Sequence, residues 1–465
     1  MLGDDAQAKL LRCSALGRKF DSLEGQIFLL NRRLPLSIGP FVRSLMPANA
    51  FFSLLPAALC SACLWLACGC TSSSNQQDSP DRWLKGNLHT HSLWSDGDQF
   101  PEVIGMWYRD HGYDFLAISD HNTIADEEKW VDVSPDGGRV DAFESLRSTA
   151  GAGEPVVVDS LGRRYAKLAT FAEYRSRVEL PGSFILLRSE EITDHFGSSP
   201  IHINAANIQE LIRPQGGGSV RETIQRNMDA VEEQRRRTGA PILPHLNHPN
   251  FQWGVTAADI AFITGDRFFE VYNGHPAVHN EGDATHHSTE EIWDAVLAAR
   301  IARDMEVMYG LATDDAHYFL STGSQFSNPG RGWVNVRSST LSADSILSAL
   351  EAGDFYASSG VSIRSINRSP SGLSFEIEAE PGATYETRFV ISTPATEESD
   401  ADSLFRSGVG IVAMTDSTLS PSYTFSGNEL YVRAVVTSSK RKENPYVEGE
   451  YERAWIQPVV RAVVK

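Results

Sequence analysis

From Leu88 to about residue 360 the chain alternates short apolar runs with longer segments of helical period, and then its pattern changes. Phe115-Leu116-Ala117-Ile118, Phe184-Ile185-Leu186-Leu187, Ile201-His202-Ile203, Pro241-Ile242-Leu243, Phe268-Phe269-Glu270-Val271-Tyr272 and Val307-Met308-Tyr309-Gly310-Leu311 read as strands. Helices are predicted over Ser219–Arg237, over Ser288–Arg300, where Ser288 and Glu291 make a capping box, and over Ser342–Glu351, with Gly353 placed to end it. Strand and helix in alternation is the signature of βα units, so residues 86–360 predict an α/β domain. Residues 126–182 interrupt it with a polar stretch containing Ser134-Pro135-Asp136-Gly137-Gly138 and Gly151-Ala152-Gly153-Glu154-Pro155. This reads as an insertion, either a lid that selects substrate or a plain solvent loop.

Beyond Val361 the helical period is lost. Leu373–Ile377, Thr387–Ile391 and Leu430–Val436 alternate apolar and polar positions between turn residues, which predicts a small all-β, sandwich-like domain over 361–465. That segment contains no histidine.

The first seventy residues are of another kind. Phe51–Ala67 is almost wholly apolar, follows Arg32, Arg33 and Arg43, and ends in Leu66-Ala67-Cys68-Gly69-Cys70, before the polar Thr71-Ser72-Ser73-Ser74-Asn75-Gln76-Gln77. Basic, then apolar, then small and polar is the order of an export signal. The expectation is a lipoprotein-type signal over 1–70 with Cys70 lipidated and 71–85 as a tether, although Ala67 stands where leucine is usual. An uncleaved membrane anchor is the alternative, and both put the remainder outside the cytoplasm.

Composition narrows the chemistry. All five cysteines, Cys13, Cys60, Cys63, Cys68 and Cys70, lie in that leader, so any metal in the body must sit on nitrogen and oxygen donors. With 41% hydrophobic and 22% charged residues the 465-residue chain reads as globular. Residues 1–70 hold seven Lys and Arg against four Asp and Glu, so the rest carries a formal −22 out of −19 overall. A surface that negative repels phosphate backbones and argues against a nucleic-acid partner.

Candidate donors gather where predicted strands end. His89 and His91 stand at i and i+2, which on an extended strand points both imidazoles to one side, and Asp315-Ala316-His317 repeats the spacing. Between them come Asp96-Gly97, Asp120-His121, Glu190-Glu191, His202, His245 and His248. Alternation leaves Glu190 or Glu191, and His245 or His248, open. Asp96 before Gly97 is also an ordinary turn, and Asp120 is a candidate partner that orients imidazoles.

His89-Thr90-His91 with Ser95-Asp96-Gly97, Ser119-Asp120-His121-Asn122-Thr123, Glu191-Ile192-Thr193, His202-Ile203-Asn204, Asn247-His248-Pro249 and Asp315-Ala316-His317 occur in the order found in the polymerase and histidinol phosphatase (PHP) superfamily. Over residues 86–318 the chain resembles that family, above all exported bacterial members with a small β domain behind the catalytic one. The resemblance implies a distorted (β/α)7 barrel and two or three divalent ions (zinc, manganese or iron). Their ligands would be His89, His91, Asp96, His121, Glu191, His202, His248, Asp315 and His317, with Glu191 as bridge, and Asp315, Arg331 and His245 as the catalytic candidates. It implies a hydrolase using metal-activated water on a small ester, foremost a phosphoester, with a carboxylic or carbamic ester or an amide as the alternative substrate of the same site. A non-catalytic surface binding module is the contrasting reading. A phosphate group would want a guanidinium, for which Arg331 in Gly330-Arg331-Gly332-Trp333 is the candidate and Arg188 the second. His111, His195, His275, His279, His286 and His287 have no counterpart in the motifs and read as surface or loop residues, with His195 and His279 the first exceptions to consider.

Overall fold

A computed structural model describes residues 81–395 and 404–462, so the expectations for the export segment and Cys70 lie outside the described residues. The described residues all belong to one compact unit. It opens with strand β1 (Arg82–Asn87), helix α1 (Pro101–Asp110) and β2 (Phe115–Ile118). An excursion follows: β3 (Trp130–Asp132), α2 (Val140–Ser148), β4 (Val157–Ser160), β5 (Arg163–Lys167) and α3 (Phe171–Val178). The chain returns through β6 (Ile185–Phe196), β7 (Ser199–Ala206), α4 (Val220–Thr238), β8 (Leu243–Leu246), α5 (Ala257–Ile260), β9 (Phe268–Asn273), α6 (Thr289–Ile301) and β10 (Tyr309–Thr313). Next come β11 (Trp333–Ser338), α7 (Ala343–Glu351) and β12 (Phe355–Ser358). The C-terminal strands are β13 (Ile363–Ser369), β14 (Gly372–Ile377), β15 (Tyr385–Ser392), β16 (Ile411–Asp416), β17 (Ser422–Thr424), β18 (Tyr431–Arg441) and β19 (Tyr451–Val460).

Local chemistry explains the boundaries. Ser288 caps α6 in a reciprocal box with Glu291. Ser219 caps α4 on Glu222 N–H, and Gly239, at φ 70°, ends that helix in the left-handed conformation a Cβ disfavours. Strands β2, β8, β9 and β10 are buried at every position, as strands covered on both faces must be.

The main sheet has thirteen strands in the order β10-β9-β8-β7-β6-β2-β1-β11-β12-β19-β18-β15-β16, which makes the molecule a mixed α/β protein with one large central sheet. Two links depart from a uniform βα alternation: β6, β7 and β8 pair antiparallel, while β1, β2 and β6 and also β8, β9 and β10 pair parallel. The outer strand β10 curls back to the chain following β1. Thr90 bridges Ala316 in parallel, His91 N–H donates to Ala316 C=O at 2.9 Å, and Asp315 N–H donates to His89 C=O at 3.0 Å. The two His-x-His and Asp-x-His segments thereby become neighbours.

Two boundaries differ from the sequence reading, and the insertion is an ordered element. Strand β1 begins at Arg82, inside the segment expected to be tether, because Arg82–Gly86 pairs antiparallel with β11. The excursion at 126–182 is an ordered three-stranded sheet with helices, and it is tied to the loop after β1 by Lys129 Nζ on Trp94 C=O and Trp94 Nε1 on Ala169 C=O. Residue 360 is not a physical gap either: β12 pairs antiparallel with β19, so the sheet runs on into the C-terminal strands. The sheet β13-β14-β17 packs over that extension through Leu373, Phe375, Phe389, Val432 and Ile456, giving two β layers of which one belongs to the central sheet.

Candidate metal centre

The donor-bearing segments lie at the C-terminal ends of β1, β2, β8 and β10 and along the antiparallel pair β6 and β7. His89 Nε2 stands 3.2 Å from His91 Nε2, 3.3 Å from Asp315 Oδ1 and 3.5 Å from Glu191 Oε1. His91 Nε2 is 3.2 Å from Asp315 Oδ1 and 3.4 Å from Glu191 Oε2. Glu191 also faces His121 Nδ1 at 2.8 Å, His202 Nδ1 at 3.0 Å and His248 Nε2 at 3.6 Å. At the outer edge Asp96 meets His317 Nε2 at 3.3 Å and both His91 Nδ1 and His121 Nε2 at 3.6 Å. The nine expected donors are therefore brought together, with Glu191 between the histidine groups.

The arrangement fits divalent cations. Its donors fall into overlapping sets, His89/Glu191/His248, His89/His91/Asp315, His121/Glu191/His202 and His91/Asp96/His121/His317, each with atoms mutually within 4.8 Å. Ligands of one ion at about 2.0–2.2 Å stand roughly 3 Å apart, which is the spacing seen here. Glu191 Oε2 and His202 Nδ1 are buried and have no hydrogen-bond partner. A buried carboxylate oxygen and a buried imidazole nitrogen left without one are costly unless a cation takes that place.

Charge in the site is strongly coupled. Burial would raise the Glu191 carboxyl, but His121, His202 and His89 hold it well below the usual range. Asp315 is held low in the same way by His89, His91 and His317. His91 is pushed down to about 3 by burial and by His317 and His121, which suits a neutral, ligating imidazole. His121, although burial opposes it, is raised to about 11 by Glu191 and Asp96. Asp315 has a left-handed backbone, φ 50°, uncommon for a residue with a Cβ and held by the surrounding bonds.

The open choices divide by facing. Glu190 turns away from the cluster: its Oε1 accepts Ile212 N–H at 2.7 Å, and burial pushes its carboxyl up to about 8. His248 joins the cluster, while His245, fully buried behind it, has Nε2 3.4 Å from Glu270 and no hydrogen-bond partner at either nitrogen. Asp120 orients a turn, not an imidazole. It accepts Ser92 N–H (2.8 Å), Ser92 Oγ (2.6 Å) and Ser95 Oγ (2.6 Å), fixing the loop that carries His91 and Asp96. Gly97 is required in that loop because a Cβ would lie 2.5 Å from His91 C=O.

The expected phosphate-binding arginines are elsewhere engaged. Arg331 is fully buried, and its guanidinium donates to the carbonyls of Gly274, Phe326, Gly323 and Asn444 and to Asn444 Oδ1, which uses all five N–H groups. Arg188 donates to Gln209 C=O and pairs with Asp126. Among the described residues, every ion pair made by Asp96, Glu191, Glu270 and Asp315 is with a histidine. His195 is exposed at the end of β6, and His279 stacks on Trp253 at 4.6 Å.

Two residues passed over in the sequence reading belong to the site. Glu270 accepts from His89 Nδ1 (2.7 Å), Thr313 Oγ1 (2.8 Å), His248 N–H (2.8 Å) and Asn273 Nδ2 (2.9 Å), so it fixes His89 with Nε2 toward the cluster. Its signal was a lone acid in an otherwise apolar strand, which can be buried only with partners. His275 lies beside His317, ring centroids 5.6 Å apart, with Nδ1 accepting Ala277 N–H. Nothing in its sequence context marks it.

No family model matches the sequence, and no curated protein matches it significantly. Among solved structures the chain is similar to a two-domain protein containing a predicted PHP-like metal-dependent phosphoesterase from Bacteroides vulgatus, at TM-score 0.36 and 13% identity over 81% of this chain and 95% of that one. It is also similar to PsfC from Pseudomonas syringae (TM-score 0.28, 12% identity, 55% and 82% covered) and to an amidohydrolase from Chromobacterium violaceum (0.21, 16%, 50% and 87%). The first carries the same family description as the motif resemblance. At these scores the likeness carries no chemistry, and the functional reading rests on this chain's own donors.

Proposed function

We propose that this protein is a metal-dependent hydrolase that cleaves a small phosphoester at a two- or three-ion centre. The observation that carries the reading is Glu191, a buried carboxylate with one oxygen lacking any hydrogen bond and five of the cluster's imidazoles within 3.6 Å. The strands β1, β2 and β6–β10, closing at Thr90 and Ala316, are read as a distorted (β/α)7 barrel with its donors at the strand ends.

Divalent ions bound there supply a nucleophilic water at neutral pH and neutralise charge that develops on the substrate. The protein's part is orientation. Asn247 Nδ2 on Glu191 Oε1 (2.7 Å) and Asn273 Nδ2 on Asp315 Oδ2 (3.1 Å) fix the two carboxylates whose oxygens face the histidines. His275, with Nδ1 acting as acceptor, has its proton on Nε2 when neutral and is placed to donate it to a substrate oxygen. Phe251, half-buried against His202, His248 and His275, forms an apolar wall.

A second reading, hydrolysis of a carboxylic or carbamic ester or an amide, is favoured by one observation: both arginines expected to clamp a phosphate are otherwise engaged. The test is elemental analysis of purified protein with a panel of phosphate, carboxylic and carbamate esters, run beside His89→Ala. The expected outcome is two or three ions per chain and turnover of one ester class, both lost in the variant. Full metal content and rate in His89→Ala would sink the assignment, and metal without turnover of any ester would favour a binding module. We place the protein outside the cytoplasm, anchored by lipid at Cys70. Mass spectrometry of the mature N-terminus is expected to find that lipid, and an intact, unmodified Met1 would exclude it.

A further inference from the structure

The tip of the β18–β19 hairpin reaches the loop that follows His317, and Arg331 is where they meet. Its buried guanidinium joins three separate pieces of chain: Gly323 and Phe326 of that loop, Gly274 just beyond β9, and Asn444 at the hairpin tip. The hairpin grips the same loop twice more. Asn444 Nδ2 donates to Pro329 C=O at 2.9 Å, and Lys442 Nζ donates to Arg331 C=O at 2.5 Å and to Tyr272 OH at 2.7 Å. Tyr272 OH in turn donates to Glu450 at 2.7 Å.

The gripped loop leads straight to two of the donors. Ser327 C=O accepts His317 N–H at 3.0 Å, and Ser327 Oγ lies 3.2 Å from His317 Nδ1. The amides of Gly330, Arg331 and Gly332 donate to the Asp314 carboxylate at 2.9, 2.6 and 2.7 Å, immediately before the left-handed Asp315. Holding a residue in that conformation falls to the structure around it.

We infer that the C-terminal hairpin, acting from Asn444 through Arg331, is a positioning element for the Asp315 and His317 end of the metal centre. The C-terminal strands are then part of the site's support and not an appended module. Asn444 touches no donor itself. It acts by keeping the arginine, and with it residues 323–332, in one place, as partners behind metal ligands do. This rests on the metal-centre reading above.

The test is the affinity of chelator-stripped full-length protein for zinc and manganese, measured by competition with a chromophoric chelator, alongside melting temperature. Asn444→Ala is expected to weaken metal binding by about 10–100-fold, the usual effect of losing a partner behind a ligand. Asn444→Asp, which keeps an acceptor for Arg331, is expected to recover most of it. Glu448→Ala, at an exposed position of the same hairpin, is expected to bind as the parent does. If Asn444→Ala does not fold, Asn444→Ser is measured in its place with the same expectation. Parent-like affinity in a folded Asn444 variant with a lowered melting temperature would reduce the hairpin to a stabilising contact and overturn the inference. A parent chain that took up no metal would overturn the metal-centre reading itself, and this inference with it.

Discussion

Glu270 shows how one residue can decide the state of another. With four donors on its two oxygens, it leaves His89 a single tautomer and turns Nε2 toward Glu191, His91 and Asp315. Glu270→Gln keeps the shape but puts an amide where an anion accepted the imidazole proton. Metal affinity is expected to fall about 10–100-fold, read by chelator competition, with little change in far-UV circular dichroism. The motifs named the clustered side chains in order, yet Glu270 lies in none of them. Arg331 had the opposite fate: its neighbourhood in sequence suggested an anion clamp, and packing made it a structural hub. A residue's type shows what it can donate, whereas its burial and partners decide whether a donor is left over.

Among the elements, β9 is preceded by a pH-sensitive turn. Asp266, in the turn before it, accepts Phe268 N–H at 2.8 Å through Oδ1, while its buried Oδ2 has no partner. Burial pushes this carboxyl from 3.8 up to about 7, against the pull of Arg300. The folded state then holds a proton that the unfolded chain releases, so the contribution of Asp266 to stability falls as pH rises from about 4 to 7 and is level on either side. Asp266→Asn is expected to reduce the fall between pH 5 and pH 8, measured as urea midpoints, leaving the share that Glu190 contributes, and an equal fall in both proteins would assign the effect elsewhere. The elements themselves were legible where local signals were strong. The helices predicted at Ser219, Ser288 and Ser342 begin one residue later, each capped by that serine. The strand predicted at Pro241–Leu243 lies instead at Leu243–Leu246, because a short apolar run fixes no register until neighbouring strands supply one.

At the scale of the whole described fold, the continuous sheet predicts that residues 81–462 unfold as a single cooperative unit. Calorimetry is expected to give one unfolding transition, and the chain cut after residue 360 is expected to be insoluble. Cutting there exposes the hydrogen-bonding edge of β12, strips Arg433 from the buried Asp294 carboxylate (2.6 Å) and removes Gln457 from both backbone groups of Gly310. A soluble, metal-binding 75–360 fragment would contradict this. The sequence by itself determined what period and spacing encode: strands alternating with helices, the i, i+2 pairs at His89 and Asp315, the change to β pattern after Val361, and a body whose only available donors are nitrogen and oxygen. These are local properties, fixed by the two-residue repeat of a strand and the 3.6-residue repeat of a helix. Tertiary structure alone decided that Glu191 faces the cluster and Glu190 does not, that Glu270 backs His89, that Arg331 is used up, and that the C-terminal strands extend the central sheet. Each of these depends on which residues far apart in the chain meet, and the free energy of burying a charge or leaving a strand edge unpaired is set only by that meeting.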